Sequence, residues 1–415
     1  MKKKLIIKFV ITIILVFFIS LLVSAEQVEL EFWTINLSPH FDNYFHDMIN
    51  EYEEINPDVK IIWKDVSFSS IKQKLLYNIA EGNPPDVVNL STELARPLMQ
   101  EGLLYPISDI NDKYSDNYYT GIWEAGVFGE KSYAFPWYVS TQILIYNKDI
   151  FLVSGLDPSK PPETLQELEE YGKIIKEKTG IYGFMPQIRI HHEFIKAGIP
   201  LFEGDEKDKP GFVSEKAEEI VKWYYDLRKE GIIPEDTLNE GFNLALSRYM
   251  DGELGILITG SQFLNRIKER APYIYDISGV APLPLREKDL LSAAVMNLVV
   301  PASSGYPVEA ADFAEFMTGN YAQVLFAKEA NVLPSVKAAM GDNYFNRNDG
   351  ELVDKARQIS VEQLNNAVDM TLPVSDADLL IKAIDEEFAR AFYGKITPED
   401  ALKNMKQRWM DILEK

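Results

Sequence analysis

The sequence predicts an α/β protein with two lobes, and three observations support this fold class. Between Val28 and Leu104, β-rich runs alternate with amphipathic helical segments three times. A second alternation of strands and helices follows from Ile143. Without an N-terminal leader, roughly 390 residues remain, more than one hydrophobic core usually supports. We therefore expect two lobes of ordinary size.

The first 25 residues have the order of a secretory signal. Lys2, Lys3 and Lys4 form a basic start, an apolar run of 15 residues from Phe9 to Val23 follows, and small residues end the segment at Ala25. Such a run is shorter than the roughly 20 residues of a membrane span. We predict export with cleavage after residue 25, and an uncleaved anchor is the alternative.

The first strand and helix of the mature chain are predicted from residues 28–57. The run Val28–Trp33 alternates apolar and polar side chains, as a half-buried strand does. Ser38 and Pro39 can cap and begin a helix, which Asn56-Pro57 ends. Its predicted buried face consists of the apolar residues spaced by three and four, namely Phe41, Phe45, Met48, Tyr52 and Ile55.

Two further strands and helices complete the first region. Val59–Trp63 is β-rich, and a helix capped by Ser69 or Ser70 should bury Ile71, Leu75 and Ile79. After the break at residues 82–85, we predict a third strand at Asp86–Leu90 and a third helix with Leu94, Leu98 and Met99 on its buried side. Strands separated by helices pair in parallel through right-handed crossovers, so a parallel sheet is expected.

The second region repeats this alternation with longer helices. The predicted strands are Ile143–Tyr146 and Leu254–Ile258. A first predicted helix follows Pro162-Glu163-Thr164, runs through Leu165, Leu168 and Tyr171, and is ended by Gly180. The other predicted helices are Ala217–Arg228 and the tail Asp376–Leu413, with a stop at Gly394 and a restart at Thr397-Pro398.

Composition excludes several functional classes. The chain has 42 basic and 64 acidic side chains, a net charge of −22, so a nucleic-acid partner is not expected. It has no cysteine, which excludes disulfides, thiolate chemistry and a lipidated cysteine. The pair His191-His192 is a weak metal candidate, because helical neighbours point about 100° apart. We expect no metal and no cofactor, and we find no nucleotide-binding or hydrolase motif.

Candidate ligand contacts lie next to predicted strands: three groups follow a strand, and residues 136–141 precede the strand at Ile143. Aromatic and short polar residues occupy four strand-to-loop junctions: residues 33–36, 91–93, 136–141 and 259–262. In open α/β sheets, ligands bind beyond the carboxyl ends of strands. Aromatic rings pack on the C–H face of a sugar while amides, hydroxyls and carboxylates bind its hydroxyl groups. These junctions therefore favour a carbohydrate.

The same residues resemble the extracellular solute-binding proteins of carbohydrate ABC transporters, the family that includes maltodextrin-binding proteins. The resemblance covers nearly all of the mature chain and rests on the order of several short motifs. These motifs are Phe32-Trp33, Asn56–Ile61, Gly82–Val88, Gly102–Ile107, Phe135–Asp149, Gly252–Ile256, Ala310–Phe316 and Asn331–Pro334.

The resemblance implies a two-lobed periplasmic-binding-protein fold with three inter-lobe crossings around a ligand cleft. We place the crossings near Tyr138, Gly279 and Tyr321. Lobe one would then contain residues 26–138 and 280–320, and lobe two would contain residues 139–279 and 321–415 with the C-terminal helices.

The resemblance also assigns positions in the cleft. Glu93 matches a sugar-contacting position after the third strand, Ser140 and Thr141 match the hinge, and Gln187–His192 matches a loop of the second lobe. Where family members often have tryptophan, this chain has Leu90 and Gln262, so a long maltodextrin is not expected. The predicted ligand-binding residues are Trp33, Asn36, Glu93, Trp137, Tyr138, Thr141, Gln187, His191, Ser261, Gln262 and Asn297.

The predicted function is non-enzymatic capture of a mono- or oligosaccharide by hinge closure, followed by delivery to ABC transporter permease subunits. The protein is expected to act as a monomer outside the cytoplasm. Two alternatives stay open: a secreted glycoside hydrolase, which needs only two suitably placed carboxylates, and a binding protein for a polyamine or a phosphodiester.

Overall fold

A computed structural model describes residues 27–204, 207–238, 241–347, 349–374 and 376–414. The predicted signal segment lies outside these residues. The strands are β1 Val28–Ile35, β2 Val59–Val66, β3 Val87–Ser91, β4 Val127–Phe128, β5 Lys131–Ser132, β6 Ala134–Ser140, β7 Ile143–Asn147, β8 Tyr182–Met185, β9 Leu254–Thr259, β10 Ser278–Pro282, β11 Leu291–Ser292, β12 Ala294–Val299, β13 Leu333–Pro334 and β14 Ala367–Val368.

Helices occupy most of the connections between these strands. They are α1 Asp42–Ile55, α2 Ile71–Ala80, α3 Thr92–Gln100, α4 Thr120–Trp123, α5 Lys148–Ser154, α6 Leu165–Thr179, α7 Ile190–Lys196, α8 Glu215–Lys229, α9 Gly241–Met250, α10 Phe263–Arg270, α11 Pro272–Asp276, α12 Pro307–Met317, α13 Asn320–Ala330, α14 Asn343–Asn346, α15 Leu352–Glu362, α16 Ala377–Phe392 and α17 Pro398–Leu413. Within the described ranges, no helix is both long and apolar enough to cross a membrane.

Two sheets form the framework, which confirms the two-lobed α/β fold. The first has six strands in the order β13-β6-β12-β3-β1-β2, and the second has four in the order β10-β7-β9-β8. The predicted parallel pairing of β1 with β2 and β3 is confirmed. The first sheet is nevertheless mixed, because β12 lies antiparallel between β3 and β6.

Each sheet is covered on both faces, so alternate side chains of a strand enter different cores. In β1, Leu30 and Phe32 join the core that includes α1 and α12, whereas Trp33 and Ile35 join the core that includes α2 and α3. Apolar residues on both faces are what a sheet covered by helices requires. The strand therefore buries five of its eight residues, and its aromatic residues Phe32 and Trp33 are among them.

Local sequence signals account for several helix boundaries. Thr164 accepts a hydrogen bond from the Glu167 amide, and the Glu167 carboxylate accepts one from the Thr164 amide, so α6 begins with a capping box. Gly180 ends the helix with a φ of 76°, a left-handed conformation that suits glycine. Thr397 caps α17 in the predicted place.

The prediction for the start of α1 was wrong. The helix begins at Asp42 rather than after Ser38, and its N-cap Phe41 makes no side-chain capping hydrogen bond. Residues 39–41 form a turn instead. Ile55, predicted to be buried, is 64% exposed, because it is the last residue of the helix and lies beyond the core that Tyr52 reaches.

The chain passes between the two sheets at positions that differ in part from the expected crossings. It leaves the first sheet after Ser140, close to the crossing expected near Tyr138, and returns between β10 and β12. Gly279, an expected crossing, lies inside β10 of the second sheet. Helix α13, which begins one residue before Tyr321, still packs in the first core, and the chain rejoins the second core at α15.

These contacts place the second and third crossings later than Gly279 and Tyr321, because the apolar faces of β10 and α13 remain in the cores they follow. Apart from the boundaries at Gly279 and Tyr321, the assignment of residues to lobe one and lobe two stays a prediction.

Candidate functional site

A cavity of about 490 Å³ lies between the two sheets, where strands of both end. Residues of β3, the β6–β7 junction and β12 contribute one part of its wall, and the loop after β8 and the end of β9 contribute another. Its lining residues are Phe68, Ser91, Thr92, Glu93, Ser140, Thr141, Gln142, Gln187, Arg189, His192, Glu193, Lys196, Thr259, Gly260, Gln262, Phe263, Ser292, Ala293, Ala294, Val295, Met296, Asp369, Met370 and Thr371.

Uncharged hydrogen-bonding groups supply much of this wall. The buried hydroxyl oxygens of Thr141 and Thr259 have no hydrogen-bond partner among the described residues. Gln262 donates to the Ser140 hydroxyl over a long 3.5 Å. Because a buried polar group without a partner is costly, these hydroxyls fit a site completed by a ligand or by water.

An ion pair joins the two sides of the cavity. Glu93 lies at the start of α3, directly after β3 of the first sheet, and Arg189 follows β8 of the second sheet. Arg189 Nη1 lies 2.6 Å from Glu93 Oε1, and both side chains are 53% exposed. A pair this exposed contributes only about 0–1 kcal/mol, so a ligand hydroxyl group can compete with it.

A second, buried ion-pair network includes the wall residues Glu193 and Lys196 and, behind them, Arg286. Glu193 pairs with Lys196 and accepts a hydrogen bond of 2.7 Å from Arg286 Nε. Burial alone would raise the pKa of Glu193, but Lys196 and Arg286 outweigh it and lower that pKa to about 2. The carboxylate is therefore ionised at neutral pH.

Two further titratable groups face the cavity. Burial lowers the pKa of His192, so its ring is neutral, and its Nδ1 lies 3.1 Å from the Ser292 hydroxyl. Burial raises the pKa of Asp369, whose carboxylate accepts a hydrogen bond from the Thr371 amide. Across the described ranges, no group of three His, Cys, Asp or Glu residues could hold a metal ion.

The structure brings four of the eleven predicted contact residues to the cavity: Glu93, Thr141, Gln187 and Gln262. Glu93, Thr141 and Gln262 come from the strand junctions, and Gln187 comes from the second-lobe loop that the resemblance assigned. The other seven do not line it, for reasons that fall into three groups.

The two predicted tryptophans lie in the cores. Trp33 is 5% exposed and packs in the core of α2 and α3, and its Nε1 donates to Glu31. Trp137 is fully buried and stacks on Phe326 at 5.0 Å between ring centroids. Tyr138 packs on the same Phe326 ring at 5.1 Å. The two tryptophan rings are therefore buried in the first lobe, whereas Tyr138 is half-buried and does not line the cavity.

Three predicted polar residues lie just behind the wall. Asn297 is fully buried and donates to the Thr92 hydroxyl, which itself faces the cavity. Ser261 is also buried, and its carbonyl accepts from the Asn331 amide. His191 is buried, and its neighbour His192 takes the place at the cavity, since adjacent helical side chains point about 100° apart.

Asn36 is exposed at the end of β1 with a left-handed φ of 51° and does not line the cavity. Its backbone instead continues the β1–β2 ladder, since its amide bonds to the Val66 carbonyl.

Sequence reasoning missed Phe68, Lys196, Phe263 and Asp369. Phe68 lies between two serines just after β2, so the argument that selected the other strand ends could also have selected it. Lys196 and Asp369 come from a helix end and from the segment after β14. Only the tertiary fold brings these two to the cavity, and no local pattern marked them.

Comparisons with known proteins agree with this architecture. Residues 38–324 match the family model described as "Bacterial extracellular solute-binding protein". A solved structure of a "putative oligosaccharide periplasmic-binding protein" from Synechococcus sp. MITs9220 is 27% identical, has a TM-score of 0.83, and covers 93% of this chain and 99% of its own.

Two curated relatives are more distant in sequence. A "putative binding protein" from Brucella abortus (strain 2308) is 24% identical, and the match spans 63% of this chain and 64% of that protein. The sn-glycerol-3-phosphate-binding periplasmic protein of Shigella dysenteriae serotype 1 (strain Sd197) is 24% identical over 96% of this chain and 95% of its own length. The similar proteins are thus named as binding proteins.

Proposed function

The chain belongs to the bacterial extracellular solute-binding protein family, and on that basis we propose that it captures a carbohydrate between its lobes and delivers it to the permease of an ABC transporter. The observation that carries the proposal is the cavity between the two sheets, with its buried unpartnered hydroxyls of Thr141 and Thr259. A sugar supplies many hydroxyl groups that both donate and accept hydrogen bonds.

The wall has the composition that a sugar requires. The amides of Gln142, Gln187 and Gln262 supply both donors and acceptors, and the rings of Phe68 and Phe263 offer apolar faces. Pockets for small molecules combine apolar surface with a few placed polar groups in this way. The oligosaccharide named for the Synechococcus neighbour is of the same chemical class.

Capture would work by closure of the lobes. A sugar in the cavity would contact both sides at once, through Glu93 on one side and Gln187 on the other, and Thr141 and Gln262 near the hinge. Such a sugar binds the closed form better than the open one. It shifts the equilibrium only as far as that difference in affinity allows. The closed form would then dock on membrane permease subunits, and ATP hydrolysis would be supplied by another protein, since this chain has no nucleotide-binding motif.

We place the mature protein outside the cytoplasm as a monomer, exported by the predicted signal at residues 1–25. The sequence contains no cysteine, and this supports a protein without a thioether-linked lipid. The family is named for its extracellular location.

Calorimetric titration against mono- and oligosaccharides tests the proposal. Calorimetry is preferable to intrinsic fluorescence because none of the six tryptophans lines the cavity. We expect saturable heat for at least one sugar, with no hydrolysis product on chromatography of the same mixture. Product formation would instead establish the hydrolase alternative, and no response to any sugar would contradict the proposal.

A pair of variants locates the ligand. Gln187→Ala should weaken sugar binding by about 1–3 kcal/mol, because the sugar hydroxyl groups it pairs with would be left buried without a partner. Gln73→Ala is the matched control, since Gln73 is exposed on α2 and does not line the cavity. Equal affinity in both variants would contradict this placement of the site.

A further inference from the structure

Among the residues that the structure describes, two cationic side chains line the cavity, and each is paired with a carboxylate. Arg189 Nη1 lies 2.6 Å from Glu93 Oε1 across the two sides. The Lys196 ammonium pairs with Glu193, and these side chains are only 16% and 10% exposed. Solvent ions screen a pair buried to this degree much less than an exposed one. Neither cation is therefore available as an unpaired charge.

Of the other titratable groups near the cavity, Arg286 is positively charged and His192 is neutral. His192 is neutral because burial lowers its pKa, with the nearby charges of Arg189 and Lys196 acting in the same direction. Asp369 brings a third carboxylate to the wall. Arg286 lies behind the wall and also pairs with Glu193. An entering phosphate group, which carries about −1.5 to −2 charges at neutral pH, would meet an electrostatically balanced set of three carboxylates and three cations.

We propose that Glu93 and Glu193 are specificity-determining residues that make the cleft select uncharged solutes and reject phosphorylated ones. They do so by neutralising Arg189 and Lys196, the cations that a phosphate group would need. The inference deepens the proposed function and rests on it for the uncharged ligand being a carbohydrate.

The two classes of solute differ in what they must displace. A sugar hydroxyl can donate to a paired carboxylate or accept from a paired guanidinium, and both charges remain compensated. A phosphate must take the cation away from its carboxylate. That would leave Glu93 without its partner, or leave the buried Glu193 with Arg286 alone, facing a second anion. Removing one partner of a buried ion pair is strongly unfavourable, so rejection should be strongest at Lys196.

Glu93→Gln is the sharpest test, because it frees Arg189 and keeps an amide of similar shape. Both side chains are half-exposed, so folding should be unaffected. We would titrate wild type and variant with sn-glycerol 3-phosphate, with glycerol and inorganic phosphate as separate probes. We expect the affinity of wild type for the two phosphates to lie below the detection limit. The affinity of Glu93→Gln should lie at least roughly tenfold above that limit, since a hydrogen bond to a charged group is worth more than a neutral one.

Two controls show that the gain comes from Arg189. Glu101→Gln removes the same charge from an exposed position outside the cavity and should gain no phosphate binding. The double variant Glu93→Gln/Arg189→Gln should lose the gain. Glu193→Gln, with its fold checked by thermal melting, should show the same effect through Lys196.

Phosphate binding by wild type as tight as sugar binding would overturn the inference. So would the absence of any gain in both Glu93→Gln and Glu193→Gln while wild type binds a sugar, in which case the proposed function stands alone. The opposite result, a gain of phosphate binding in a protein that binds no sugar of the panel, would refute the carbohydrate assignment and uphold the role of the two glutamates.

Discussion

Replacing Glu193 by glutamine should destabilise the protein strongly, and the size of the effect follows from the ion pairs of this residue. The Glu193 carboxylate is buried and contacts both Lys196 and Arg286. Against the opposing effect of burial, these cations lower its pKa from the ordinary 4.5 to about 2. At about 1.4 kcal/mol per pKa unit, ionisation of this carboxylate stabilises the fold by about 3 kcal/mol at neutral pH.

The pH dependence of the effect has a definite sign. Since the pKa is lower in the folded state, the stabilisation is fully present above pH 4.5 and is lost as the pH falls towards 2. Glu193→Gln should therefore cost about 3 kcal/mol at pH 7, within the range found for breaking buried ion pairs. At pH 3 the difference should fall to roughly half of that value or less.

Urea denaturation of wild type and Glu193→Gln at pH 7 and pH 3 measures this difference in the free energy of unfolding. Glu177→Gln is the matched control, because Glu177 is exposed on α6, and such a change is usually within about 0.5 kcal/mol. A loss below about 1 kcal/mol at pH 7, or a loss of equal size at both pH values, would refute the assignment of the stabilisation to these ion pairs.

Three further predictions concern packing, helix capping and the cavity wall. Trp137→Ala should lower the free energy of unfolding in urea by about 3–5 kcal/mol, because it leaves a cavity beside Phe326 where the tryptophan ring stacks. A loss under about 1 kcal/mol would contradict the place of Trp137 in the core. Thr164→Ala should cost about 1 kcal/mol in the same assay through loss of the α6 capping box, and an unchanged midpoint would refute that contribution. In Gly260→Ala, the new Cβ would lie 2.1 Å from the Gln262 side chain, so that side chain must move. Calorimetry should then show weaker sugar binding. Unchanged affinity would exclude Gln262 as a sugar contact.

Much of the fold could be predicted from local sequence because its signals are local. The alternation in Val28–Trp33 and the Thr164 and Thr397 caps act over a few residues, and each element formed as predicted. The start of α1 could not be predicted in the same way. Serine is a common N-cap residue, but Ser38 lies in a turn and the helix begins at Asp42 with Phe41 as its N-cap. Likewise, the late crossings depend on which core β10 and α13 join, which is a tertiary property.

The candidate site was predicted only where a residue's position along a strand determines its surroundings. Glu93, Thr141 and Gln262 follow strand ends and line the cavity. Trp33 and Trp137 were predicted to contact a sugar, but helices cover both faces of their sheet, so both rings are buried. Lys196 and Asp369 have no local signal, because distant segments bring them to the wall.

A crystal structure of the protein with the tightest-binding sugar of the calorimetric panel would test the central claim most directly. We predict electron density for the sugar in the cavity between the two sheets, with hydrogen bonds to the Thr141 hydroxyl and the Gln187 amide. Density for the sugar at any other place on the protein, with this cavity filled by water alone, would contradict the account.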